Sequence, residues 1–232
     1  MAPAGLMSLI SLVAGYLLGS IPIGVLLVRL STGKDLRSEH SGRTGATNAG
    51  RVAGAWVGAA TMFGDGLKAA AAVWLARALT GGQPWVEAAV GIAAVLGHNY
   101  SLFLGERRDG KLHFRGGAGG APTIGAAIGL WAPSALITIP AGVGVLLLVG
   151  YASVATISGA VAATVVFLVR ALLGVGPWPH VAFGPAAMIV LLWALRPNLA
   201  RLRQGTERLV GLRAWRKKRA KPAQTEDEPP PS

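Results

Sequence analysis

The sequence predicts an all-α membrane protein, a bundle of seven transmembrane helices with its N-terminus outside the cell and its C-terminus in the cytoplasm. Three observations predict it: charge is scarce, apolar residues fall into seven runs, and cations collect in alternate connections. Charged residues make up 14% of the chain against 52% hydrophobic, whereas a soluble domain of average usage carries roughly a quarter charged residues. The charges present are unbalanced, 22 Lys and Arg against 10 Asp and Glu, for a net +12. No segment interleaves basic and aromatic residues as a nucleic-acid-binding module would. The excess therefore reads as orientation in the membrane and attraction to anionic lipid or substrate, with nucleic acid excluded as a partner. Cysteine is absent, which removes disulfides, thiolate catalysis and cysteine-based metal sites.

The apolar runs cover about residues 5–29, 53–79, 84–105, 119–131, 134–150, 153–172 and 178–195. Most approach the roughly 20 residues that cross a hydrocarbon core, the fourth being short. The first run has no basic residue before it and no small-residue cleavage site after it, so it reads as a retained helix rather than a signal peptide. The 33 glycines suit helices that approach closely where no hydrophobic force acts between them. All the Lys and Arg except Lys68, Arg77 and Arg170 fall in the first gap, the third gap or the stretch from Arg196 to Lys221. With an odd number of spans, the positive-inside rule then sets the N-terminus outside.

The chain divides into a membrane domain, residues 1–204, and a tail, residues 205–232. The tail opens as a basic segment bearing Leu209, Val210, Leu212 and Trp215, and closes in the acidic, proline-rich EDEPPPS. The first part fits either a helix lying on the anionic inner leaflet or a solvated end, and the last part reads as disordered.

Residues suited to an anion concentrate in the cytoplasmic connections. In the first, SGRTGATN packs Ser41, Gly42, Arg43, Gly45, Thr47 and Asn48 together, with Arg37 and Arg51 flanking. Glycines let backbone amides converge, hydroxyls and the carboxamide add donors, and guanidinium forks match phosphate; a flexible positive connector is the plainer reading. The second, FRGGAGGAPT, brings Gly116, Gly117, Gly119 and Gly120 to the entry of a helix, where unpaired amides bind anions. Inside the second run, Asp65 and Lys68 lie three apart on one helical face and can pair, as a functional site or as a structural ion pair. His98, in GHNYSLF, fits a base or a hydrogen bond to a neighbouring helix. His40, His113 and His180 read as loop residues without metal-like spacing, so no metal is expected.

With these residues in view, the chain resembles the bacterial membrane acyl-phosphate:glycerol-3-phosphate acyltransferases, the PlsY family. The resemblance runs in order through GYLLGSIPIG, LRSEHSGRTGATNAGR, DGLKA, AVLGHNYSLF, FRGGAGG and RPNLARLRQGTE, about 200 residues in all. It implies a seven-helix enzyme of the bacterial inner membrane, its active site facing the cytoplasm and no cofactor required. Its partners would be acyl phosphate, glycerol 3-phosphate and membrane lipid, and its product lysophosphatidic acid, the first step of phospholipid synthesis. By motif position Ser41, Gly42 and Gly45 would cradle phosphate, Arg51 would clamp one, Asn198 would contact the glycerol hydroxyls, and Ser153 would add a phosphate-binding hydroxyl. Three positions depart from the family pattern: Ala118 stands for a lysine, Leu195 for a histidine and Arg43 for an asparagine. Those departures motivate two alternatives, a different phosphorylated polyol as acceptor and a non-catalytic relative that binds or moves an anionic lipid or metabolite.

Overall fold

The structure is a computed structural model and describes residues 3–219, so the EDEPPPS end lies outside the described residues. The first apolar run is a broken helix, α1 (Ala4–Ser20) followed by α2 (Ile23–Thr32). The break falls at Ile21-Pro22 because proline has no N–H, its ring collides with the carbonyl four residues back, and it biases the preceding residue to extended backbone. Ile21 adopts φ −56, ψ 118 accordingly. Its carbonyl accepts the Ile23 N–H at 3.0 Å and a second hydrogen bond from Lys68 Nζ at 2.7 Å, so a residue from another helix helps to cap the break.

After the first connection come the short α3 (Ala46–Ala53) and the long α4 (Ala55–Thr80). Helix α5 (Pro84–Asn99) starts on a proline, whose missing N–H costs nothing at that position. A two-stranded hairpin follows, β1 (Gly105–Arg108) antiparallel to β2 (Lys111–Phe114). It is an addition to the expected all-α plan. Its turn, Asp109 (φ 51) and Gly110 (φ 74), has both central residues left-handed, the geometry for which Asp-Gly is favoured. The rest is helical: α6 (Gly120–Leu130), α7 (Ala135–Leu148), α8 (Ala152–Leu172), α9 (Trp178–Arg203) and α10 (Gly211–Arg219).

The seven expected runs thus become α1 with α2, then α4 to α9. Among the described residues four segments are long and apolar enough to cross a membrane: 4–32, 84–104, 152–172 and 178–203. Helix α4 has 26 residues but carries Asp65 and Lys68. At about 1.5 Å per residue, α6 and α7 are roughly 16 and 21 Å long, short of a hydrocarbon core of about 30 Å.

The core is built from small side chains, Ala69, Ala72, Ala76, Ala94, Ala126, Ala127 and Ala163, around Val73, Val90, Phe167 and Phe183. Large apolar residues such as Leu9, Phe63, Leu136, Val165 and Ile189 face outward instead, the inversion expected where lipid is the solvent. Helices α1 and α5 pack backbone on backbone. A Cβ on Gly19 would overlap the main chain of Ala94, and one on Gly97 would overlap the Tyr16 carbonyl, as in small-residue membrane interfaces.

Hydrogen bonds gather the basic connections at one end of the bundle. Thr44 N–H donates to Gly116 O, and Val210 N–H to Gly150 O at 2.8 Å. The tail segment is helical where sequence left it open: α10 docks on the end of α7, with Arg213 donating to Val149 O at 3.2 Å and Leu212 and Trp215 exposed. At the opposite end Arg77 forks onto buried Glu87, at 3.0 and 2.6 Å. His180 lies 3.6 Å from the same carboxylate. It is a buried residue in the first turn of α9, not a loop residue.

Candidate active site

The two glycine-rich connections meet because their backbones can touch. A Cβ on Gly116 would overlap the His98 carbonyl, and one on Gly117 the His98 ring. Gly117 N–H donates to His98 O at 3.0 Å, and Ser101 N–H to Arg115 O at 3.1 Å. The loop is therefore pinned to the end of α5. The hairpin joins them: Glu106 pairs with Arg37 at 2.7 Å and with Arg115 at 3.8 Å.

Arg43 ties the loops to α9, donating from one nitrogen to Gly117 O at 3.2 Å and from the other to Ala194 O at 2.6 Å. Burial pulls its guanidinium below the usual arginine range, and Arg201 pushes the same way. The charge persists, because arginine's ordinary value lies far above neutrality. Asn48 works from inside the first loop. It is buried, and its Nδ2 faces the carbonyls of Leu36, Glu39 and Arg43 at 3.3, 3.1 and 2.9 Å. Its donors hold the loop's shape rather than facing the cleft. Gly45 caps α3 and Thr47 stands half-buried in that helix's first turn.

Around Arg43 opens a cleft of about 620 Å³, walled by Ser41, Gly42, Arg115, Gly116 and Gly117 from the loops, Asn99 and Tyr100 from the end of α5, and Trp193, Arg196 and Arg201 from α9. Four guanidiniums and no carboxylate line it among the described residues. That is the electrostatics of an anion site. The lining also lacks a nucleophile with its base: Ser41 Oγ, the serine present, meets only the Arg43 amide, at 3.5 Å.

A second cluster lies at the same end. Ser153 Oγ donates to Glu207 at 2.6 Å, and Asn198 Nδ2 donates to the other carboxylate oxygen at 3.3 Å. Glu207 is 8% exposed and reaches back from beyond α9, so one carboxylate clasps α8 to α9. Arg51, in the last turn of α3, has its guanidinium lowered by burial and by Arg208, with Glu207 opposing. Ser41, Gly42, Arg43, Gly116 and Gly117 thus share the cleft, whereas Ser153 and Asn198 share Glu207 and Arg51 lies within its field. Gly119 is the N-cap of α6, against Asn99.

Behind the glycine loop, buried Lys68 lies 2.8 Å from Asp65 and 3.2 Å from His98 Nδ1, and Asp65 is 3.4 Å from the same ring nitrogen. The three polar residues form one network beneath Gly117. Leu195 is 1% exposed and packs with Val95, Ala160 and Leu191, with Ala118 against the same cluster. Both departures from the family pattern are thus apolar contacts here. Sequence reasoning passed over Glu207, Asn99, Arg196 and Arg201. The acidic residue in RQGTE and the Asn after His98 were visible, but nothing local marks which partner each would meet.

The family described as glycerol-3-phosphate acyltransferase matches residues 9–205. A relative from Thermus thermophilus, named glycerol-3-phosphate acyltransferase, is 42% identical over 203 residues, covering 88% of this chain and 95% of its own. Another of the same name, from Rubrobacter xylanophilus, is 42% identical over 203 residues, covering 86% and 94%. Among solved structures, PlsY (YgiH), an integral membrane glycerol 3-phosphate acyltransferase, is similar in its glycerol 3-phosphate form, with a TM-score of 0.73 and 31% identity over 88% of this chain and 96% of that one. Its lysophosphatidic acid form gives 0.72 and 29%, over 89% and 97%. A membrane-type helical bundle whose basic cleft lies inside the matched region is thereby accounted for, and the chain belongs to the glycerol-3-phosphate acyltransferase family as a membrane acyltransferase.

Proposed function

We propose that this protein transfers a fatty acyl group from acyl phosphate to the sn-1 hydroxyl of glycerol 3-phosphate, giving lysophosphatidic acid. The observation that carries the reading is the cleft, with four arginines and loop glycines but no carboxylate, at the end of an apolar bundle. Both substrates bring phosphate, and the donor brings a chain that the exposed apolar flanks can accommodate. The reaction proceeds by direct attack. The acceptor hydroxyl oxygen bonds to the acyl carbon, the bond from that carbon to the phosphate oxygen breaks, and a substrate phosphate takes the hydroxyl proton. No covalent enzyme intermediate forms, consistent with a Ser41 whose Oγ meets only the Arg43 amide among the described residues. The protein contributes placement and charge stabilisation.

In this reading Ser41, Gly42, Arg43, Gly116 and Gly117 hold phosphate in the cleft. Arg51, with Ser153 and Asn198 on Glu207, forms a separate polar cluster at the same end. The seven apolar rods cross the bacterial inner membrane. The cleft faces the cytoplasm, where the positive connections lie.

The test is release of inorganic phosphate by the purified protein given acyl phosphate with a panel of polyol phosphates. Release is expected only when acceptor is present, and fastest with glycerol 3-phosphate. Release with another polyol phosphate alone would move the acceptor assignment, and no release with any would reject the reading.

A further inference from the structure

Asn99 ends α5 at the wall of the cleft. It is 4% exposed, yet neither Oδ1 nor Nδ2 has a hydrogen-bond partner among the described residues. A buried carboxamide left unpaired on both sides is destabilising unless something else satisfies it. Its surroundings narrow what that is. The amide lies against Gly119, the N-cap of α6, where a Cβ would sit 2.8 Å from Oδ1 and 3.1 Å from Nδ2. The cleft it borders is rich in donors, with Arg43, Arg115, Arg196 and Arg201 all lining it. Those groups satisfy a phosphate and can do nothing for a hydroxyl hydrogen, since guanidinium has no acceptor. Of the lining residues described, Ser41 and Tyr100 carry hydroxyls and Asn99 alone carries a carboxamide, an acceptor whose oxygen is not also a donor.

We infer that Asn99 is a specificity-determining residue that reads a hydroxyl of a phosphorylated polyol bound in the cleft. Oδ1 accepts the ligand's O–H while Nδ2 donates to a hydroxyl or phosphate oxygen. The arginines hold the anion, and Asn99 distinguishes a polyol phosphate from a simple alkyl phosphate of equal charge. The inference rests on the acceptor site proposed above and deepens it.

The experiment uses the full-length protein in detergent and compares binding of glycerol 3-phosphate with binding of propyl phosphate, which has the same charge and length but no hydroxyl. The wild type is expected to prefer glycerol 3-phosphate. Asn99→Leu, close in volume and without polar atoms, is expected to lose about tenfold in affinity for glycerol 3-phosphate while binding propyl phosphate nearly as before. With no ligand, its unfolding temperature is expected to be unchanged or higher, because an unpaired amide has been replaced by an apolar group. Asn99→Asp keeps the acceptor and adds a negative charge, so it should weaken both ligands while retaining the preference. The inference is overturned if Asn99→Leu keeps the wild-type preference, if it lowers the ligand-free unfolding temperature and weakens both ligands alike, or if the wild type shows no preference. Loss of preference in Asn99→Leu with no acyl transfer by the wild type would uphold the polyol contact and reject the proposed reaction instead.

Discussion

Arg43 shows how much one side chain decides here. Its two terminal nitrogens reach carbonyls 77 positions apart in the chain, Gly117 O on the second loop and Ala194 O on α9. A lysine has the charge but a single ammonium without the planar fork, so it can serve one carbonyl well and not both. Charge-assisted hydrogen bonds contribute about 1.5–3 kcal/mol each. Arg43→Lys is therefore expected to lower kcat/KM in the phosphate-release assay by at least tenfold, with Arg43→Met losing more. Equal activity in all three proteins would mean that the bridge is incidental. Gly117 makes the complementary point by what it lacks. An alanine there would overlap the His98 ring, and that ring is held by Lys68 and Asp65, so it has little freedom to retreat. Gly117→Ala is expected to abolish activity in protein that still purifies as a folded species. Sequence showed both residues as anion-loop members, but the carbonyl partners and the ring behind the loop are pairings across long sequence separation, to which composition is blind.

Among the elements, the broken first helix and α4 depend on each other. Pro22 breaks the helix at Ile21, and Lys68 donates to the Ile21 carbonyl while pairing with Asp65 inside the bundle. Removing one member of a buried ion pair strands the other charge, at a cost of about 3–5 kcal/mol. Lys68→Met should destabilise the protein by that order in unfolding measurements in detergent. Adding Asp65→Leu should recover a substantial part, but not the contribution of the Ile21 cap. A double variant no better than Lys68→Met alone would show that the pair is not the unit. The pairing of Asp65 with Lys68 was legible from their spacing of three. The break was less so, although its signal, a proline between two helical stretches, lay in GSIPIG. The hairpin was also signalled, by Asp109-Gly110 between Arg108 and Lys111 and by the alternation of Leu112 and Phe114 after it, but the stretch before the turn, Gly105 to Arg108, has no apolar residue to mark a partner strand. Helix α9 runs to Arg203, beyond the apolar run that ends near residue 195, because hydropathy measures burial in lipid and not helix length.

At the scale of the molecule, the apolar runs and the one-sided cations were both readable in sequence, and hydrogen bonds gather those basic connections at one end. The part that was not readable is the pairing of helices, which rests on small residues such as Gly19 and Gly97 whose partners are set in three dimensions. The proposed orientation rests on the same charges, and the chain offers a clean way to test it, because it has no native cysteine. Lys34 and Asp109 are exposed in the basic connections, while Gln83 and Val175 are exposed in the opposite ones. Single cysteines at these four positions, probed with a membrane-impermeant thiol reagent in cells with a permeabilised outer membrane, should react at 83 and 175 only. Disrupting the inner membrane should then expose 34 and 109. The expectation is quantitative in its sign: moving the basic connections outward would reverse a bias that positive charge imposes during insertion. The opposite labelling pattern would put the cleft on the face away from cytoplasmic substrates, and the proposed reaction would have no supply of either one.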